Sequence, residues 1–197
     1  MMSFVARLLV IAGLCLAAGW GQAAVTEELL AIQRLHRSGD LGTALQRVER
    51  ALTAKPDDAD LRFFRAVILA DSGRRDDAIE ALTTLLRDHP QLAEPYNNLA
   101  VLYAGQGRLE MARQALESAL RNDPAYTVAH ENLGDLYVRM AQQSYQRALP
   151  PQGMAPQGLQ QKLRLARELL LSPHRLRRRV TLKSGDRRSL HCCPSRP

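Results

Sequence analysis

Three prolines, Pro56, Pro90 and Pro124, stand 34 residues apart, and this interval restricts the possible folds more than any other feature of the sequence. Glycines keep the same beat at Gly39, Gly73 and Gly107, alanines at Ala44, Ala78 and Ala112, and a small residue at Ala66, Ala100 and Gly134. With background frequencies of about 5% for proline and about 7% for glycine, the two coincidences together arise by chance roughly once in 10⁵ trials. The period therefore specifies a repeated structural unit. Its length suits a pair of helices, and each recurring residue has a task in one. Glycine ends the first helix, where the left-handed backbone conformation is inexpensive without a Cβ. Small residues at the alanine phase on the second helix, and at 66, 100 and 134 on the first, let the paired axes approach closely. Proline stops the second helix and opens the next repeat.

Composition agrees with helices. Hydrophobic residues make up 46% of the chain and aromatics only 5%. That balance is rich enough for a core, and it is supplied by unbranched side chains that lose little rotamer freedom in a helix. The formal charge of +7 is localised. Residues 172–197 hold eight cations against Asp186, and the body between Arg7 and that tail is close to neutral.

In the order in which they occur, the repeated residues resemble the tetratricopeptide repeat family. Residues 93–126 carry the pattern best, with Tyr96, Leu99, Ala100, Tyr103, Ala112, Leu116, Ala119 and Pro124. Residues 59–92 supply Ala66, Leu69, Ala78, Leu82 and Pro90, with Arg62 and Arg65 where larger apolar residues are usual. Residues 25–58 keep Leu35, Gly39, Ala44, Val48, Ala51 and Pro56. A degenerate fourth repeat, 127–149, begins with Asn132, Leu133, Gly134 and Tyr137 but lacks the turn glycine, which predicts one longer helix. Pro150, Pro151, Gly153 and Pro156 then break the chain. Leu159, Leu163, Ala166 and Leu170 recur at helical spacing within 150–171, read as a linker and capping helix. The expected fold is all-α, a tetratricopeptide-type helical solenoid with a C-terminal capping helix.

The resemblance implies that the first helices line a concave groove for a partner peptide or helix. Carried over position by position, that face is Gln33 and His36, then Phe63, Val67 and Ala70, then Asn97, Asn98, Val101 and Ala104, then Glu131, Asn132, Asp135 and Arg139. Its middle is apolar and its far end is acidic with amides. Asn98 and Asn132 share a phase, and their amides can bond either a ligand backbone or a neighbouring helix. Family members that grip a C-terminal carboxylate use a paired Lys and Asn, whereas Val67 and Val101 occupy the asparagine positions here. An apolar helix or strand is the better-matched guest.

The flanking segments carry separate expectations. Arg7, the apolar run from Leu8 to Ala18, and the small residues Gly21, Ala23 and Ala24 compose a secretory signal over 1–24. Cleavage is expected near Ala23 or Ala24, with the mature chain periplasmic or envelope-associated, similar to small exported bacterial proteins of this family. The apolar run is short of the about 20 residues that a spanning helix needs. Cys15 follows the bulky Leu14, which disfavours lipidation, and the remaining Cys192 and Cys193 are adjacent and form no disulfide framework.

The tail 172–197, headed by Arg175, Arg177, Arg178 and Arg179, fits an anionic surface, a solvated end or a shifted reading frame; its residues leave the three open. Base-reading and stacking residues do not accompany the charge, so no nucleic acid is expected. The dispersed His36, His89, His130 and His174 make no ligand set and no base for a nucleophile. Asp57–Asp58 and Asp76–Asp77 read as partners of positive helix N-termini rather than as acid-base pairs. No catalytic residue, metal or cofactor is expected, and the reading is a binding scaffold rather than an enzyme.

Overall fold

A computed structural model describes residues 27–150 and 156–171. The leader, Pro151, Gly153 and the tail with Arg175, Arg177, Arg178 and Arg179 lie outside the described residues. Helix α1 covers 27–37, and it is followed by α2 (Leu41–Ala54), α3 (Ala59–Asp71), α4 (Arg75–Asp88), α5 (Ala93–Gly105), α6 (Leu109–Asn122), α7 (Thr127–Arg147) and α8 (Gln157–Leu171). No strand occurs among the described residues.

The periodic residues act as local backbone devices. Gly39, Gly73 and Gly107 have φ of 83°, 82° and 74°, and no other described residue has a positive φ. Each closes a helix with the same pair of bonds. The glycine N–H donates to the carbonyl three residues back, at His36, Ala70 and Tyr103's neighbour Ala104 (3.1, 3.2 and 3.1 Å). The following N–H of Asp40, Arg74 and Arg108 donates to Leu35, Leu69 and Tyr103 (3.1, 2.9 and 2.9 Å). This is the Schellman arrangement, which satisfies carbonyls that the ending helix would leave unpaired. The prolines occupy the second position of a β-turn, where their fixed φ is already correct. Those turns close with Asp58 N–H to Lys55 O, Leu92 N–H to His89 O, and Tyr126 N–H to Asp123 O, at 3.3, 3.3 and 3.1 Å. Asp40 and Asp58 add side-chain caps, accepting from the N–H of Thr43 at 3.1 Å and of Leu61 at 3.0 Å.

Packing divides the chain into two compact units, with the boundary after Ala81 inside α4. In the N-terminal unit α2 packs on α3. Ile32, Ala44, Val48, Ala66, Ile68 and Leu69 are all fully inaccessible there. The Arg47 guanidinium spans from α2 to α1 with two bonds to the Glu28 carboxylate (2.8 and 2.9 Å), and those bonds hold the Glu28 carboxyl below the usual range. In the C-terminal unit α5 and α6 form a hairpin, α6 packs on α7, α5 touches α7, and α8 packs on α7. Leu85, Ala112, Ala119 and Leu136 are fully inaccessible, with Leu82, Ala100 and Leu116 nearly so.

The missing turn glycine has the expected effect, since α7 runs unbroken for 21 residues. Gly134 departs from its expected role in close helix pairing. It is exposed, and nothing stands within 4 Å of where its Cβ would be. Gly134→Ala is therefore expected to stabilise the protein by about 0.8–1 kcal/mol, the helix-propensity difference without any steric opposition. Urea unfolding of the variant checks this, and a lowered midpoint would show that the position is confined after all.

Candidate binding face

The helices that open successive repeats are tied to each other by polar side chains, and the ties have equivalent spacing in the two units. In the N-terminal unit His36 Nε2 on α1 lies 2.8 Å from Asp71 Oδ2 at the end of α3. The His36 ring also meets Phe64 edge-on, with centroids 5.4 Å apart and planes at 77°. In the C-terminal unit Asn132 Nδ2 on α7 donates to Asn97 Oδ1 on α5 at 2.8 Å. Both pairs are separated by 35 residues, one repeat plus one position, which links adjacent turns of neighbouring first helices.

The amide pair is buried. Asn97 and Asn132 are 0% and 1% exposed, and Asn132 Oδ1 is a buried acceptor without a hydrogen-bond partner. Asn97 Nδ2 reaches Asn98 Oδ1 only at 3.5 Å, the outer limit of a useful bond. The better bond within this chain of amides is thus the one that crosses between helices. Asn132, whose phase suggested either a ligand or a helix contact, makes the helix contact here.

The remaining residues of the predicted face divide by depth. Phe63 and Val67 are buried on α3, and Asn98, Val101 and Ala104 are buried on α5. Gln33, His36 and Ala70 are half-buried in the N-terminal unit. On α7, Glu131 is exposed while Asp135 and Arg139 are half-buried. The accessible members of the predicted face in the C-terminal unit are therefore Glu131, Asp135 and Arg139 on α7, while those on α5 are buried. Sequence reasoning missed Asp71 as the partner of His36 and did not join Asn97 to Asn132. The spacing of 35 was the available signal for both.

At the start of α7 the Tyr126 hydroxyl is buried without a hydrogen-bond partner. Burial pushes its pKa up to about 12, and the negative charges of Glu94 and Asp123 add to the rise. The phenol keeps its proton longer in the folded state than in the unfolded one. Its contribution is therefore fully present below about pH 10, the ordinary tyrosine value, and declines as pH rises toward 12. Tyr126→Phe is expected to remove this alkaline component from an ultraviolet titration of the folded protein. Loss of an unpaired buried hydroxyl should leave stability at neutral pH unchanged or about 1 kcal/mol higher. An unaltered titration above pH 10 would contradict the assignment.

Among the described residues no cluster of three His, Cys, Asp or Glu side chains could hold a metal ion. Two family models described as tetratricopeptide repeat match the chain, one over residues 35–102 and the other over 93–126. No curated protein matches it in sequence. Several solved structures are similar in fold. An O-GlcNAc transferase from Thermobaculum terrenum aligns at 24% identity and a TM-score of 0.55, over 61% of this chain but only 23% of its own. The MamA protein aligns at 21% identity and a TM-score of 0.53, over 73% of this chain and 80% of its own. The first such domain of Spaghetti (RPAP3), bound to an HSP90 peptide, aligns at 16% identity and a TM-score of 0.53, over 58% of this chain and 94% of its own. At these identities the likeness shows the fold alone.

Proposed function

Since the chain is a tetratricopeptide repeat protein across residues 35–126, we propose that it works as an interaction scaffold, receiving a helix or extended segment of a partner polypeptide along the first helices of its C-terminal unit, α5 and α7, and recognising it without turnover. The observation that carries this reading is the buried Asn132–Asn97 bond at 2.8 Å, which fixes α7 beside α5 and so holds Glu131, Asp135 and Arg139 in register with α5. The His36–Asp71 contact plays the same part between α1 and α3. Apolar side chains on α5 and charged ones on α7 suit an amphipathic guest: burial of its apolar face supplies affinity, and the charges set its register. Val67 and Val101 stand where family members that grip a C-terminal carboxylate carry asparagine, so this face lacks that clamp.

The apolar run from Leu8 to Ala18, followed by Gly21, Ala23 and Ala24, supports export to the periplasm or envelope with removal of residues 1–24. N-terminal sequencing of the mature protein would test the site of removal. For the binding reading, a photo-crosslinking residue placed at Glu131 or Arg139 is expected to capture a partner in intact cells, whereas one at the exposed Gln114 on α6 is not. A chain shortened by residues 172–197 should keep the capture. Equal capture from Gln114, or capture lost with the tail alone, would overturn the assignment to this face.

A further inference from the structure

The turn between α5 and α6 carries an exposed thioether with a cation fixed against it. Met111, in the first turn of α6, is 38% exposed. The Arg108 guanidinium donates to its sulfur, with Nη2 2.9 Å from Sδ. Two other groups hold that guanidinium in place. Its Nη1 donates to Gln106 Oε1 at 3.2 Å, and its central carbon lies 4.5 Å from the centre of the Tyr103 ring. Tyr103 is buried on α5, and its carbonyl also accepts the backbone N–H of Arg108 at 2.9 Å, so Arg108 is anchored to α5 by both backbone and side chain. A thioether sulfur is a weak acceptor, yet here it receives a charged donor. That donor is better matched to a stronger acceptor at the same place.

We propose that Met111 is an oxidation site whose product the fold accommodates: a hydroperoxide converts it to the sulfoxide, and the new oxygen takes the Arg108 N–H. The sulfur lone pair attacks the distal peroxide oxygen and the O–O bond breaks. The distal oxygen stays on sulfur, while its proton passes to the departing oxygen, which leaves as an alcohol or as water. Sulfur is oxidised by two electrons, and the peroxide bond is reduced by the same two. Sulfoxide formation disrupts a core because a polar group enters apolar surroundings, but Met111 already faces solvent and a cation. The sulfoxide oxygen replaces a weak N–H···S contact with a charge-assisted N–H···O bond, which ties α6 more firmly to the Arg108 anchor on α5. This inference is independent of the partner-binding face on α5 and α7.

Graded treatment of the full chain with hydrogen peroxide tests it, read by peptide mass spectrometry and by thermal melting. Met111 is expected to gain one oxygen before Met140, which is half-buried on α7. Met111→Leu, treated identically, reports what the other methionines contribute to any change in melting. Relative to that variant, oxidation of the parent is expected to raise the melting temperature by about 2–4 °C, the effect of one exposed charge-assisted bond in a domain of this size. In Arg108→Ala the sulfoxide should still form, and the rise should be lost. Should Arg108→Ala misfold, Met111→Gln supplies a second readout, since it places a carbonyl oxygen near the sulfur position without peroxide. It is expected to melt above Met111→Leu. Four results would each overturn the proposal: Met111 left reduced while Met140 oxidises, a parent whose melting temperature does not rise relative to Met111→Leu, an equal rise in Arg108→Ala, or Met111→Gln melting no higher than Met111→Leu.

Discussion

Leu99→Asp is expected to abolish the cooperative unfolding transition of the C-terminal unit and to remove much of its helical circular dichroism. Leu99 is 7% exposed on α5, a helix with ten buried residues among its thirteen. The substitution forfeits the burial of one leucine, about 1.5–3 kcal/mol, and leaves an uncompensated carboxylate in its place, a fault that costs about 3–5 kcal/mol when a buried pair is broken. Together these approach the whole stability of a domain, about 5–15 kcal/mol. Leu99→Ala, which only opens space, should cost about 2–5 kcal/mol and leave a measurable urea transition. The same chemical change at Leu165, which is 49% exposed, should move stability by no more than about 0.5 kcal/mol. Equal tolerance at 99 and 165 would mean that α5 is not central to the unit.

What was legible in the sequence was what a residue demands of its own backbone. A glycine at positive φ and a proline at the second position of a turn impose their geometry locally, so Gly39, Gly73, Gly107 and the three prolines marked the helix ends before any packing was known. The loss of that glycine in the fourth repeat likewise foretold the unbroken α7. Gly134 was misleading because its phase presupposed a close neighbour, and the position is exposed with nothing near its would-be Cβ. The face was legible as a set of positions but not in depth. Whether Asn98, Val101 or Glu131 is accessible depends on elements that are not adjacent in sequence, and no local pattern encodes that. The exposed leucines of α8 were hidden for a related reason. Leucine fits either side of a helix equally well, and only the position of α7 separates the covered stripe from the open one.

Asn132→Asp replaces one NH2 group by oxygen, and it is expected to destabilise the protein by about 3–5 kcal/mol at neutral pH. The Nδ2 donor to Asn97 Oδ1 at 2.8 Å disappears, two acceptors then face each other, and a charge is created at a position 1% exposed. Asn132→Leu is the informative contrast. It deletes the bond and orphans Asn97 Oδ1, but it also removes the already unpaired Asn132 Oδ1. Those two desolvation costs oppose each other, so the loss should be nearer the about 1 kcal/mol of a typical net hydrogen bond. The aspartate variant should also recover as pH falls. Burial raises the pKa of the new carboxyl in the folded state, so the folded protein takes up a proton before the unfolded chain does and gains stability on acidification. Once protonated, the carboxyl can again donate to Asn97 Oδ1. Urea unfolding of the parent and both variants at pH 7 and pH 5 measures this, with the aspartate-to-parent gap narrowing at the lower pH while the leucine gap stays constant. A leucine variant as damaged as the aspartate one would locate the cost in packing shape, and the amide bond would then lose its place as the feature that sets α5 and α7 in register.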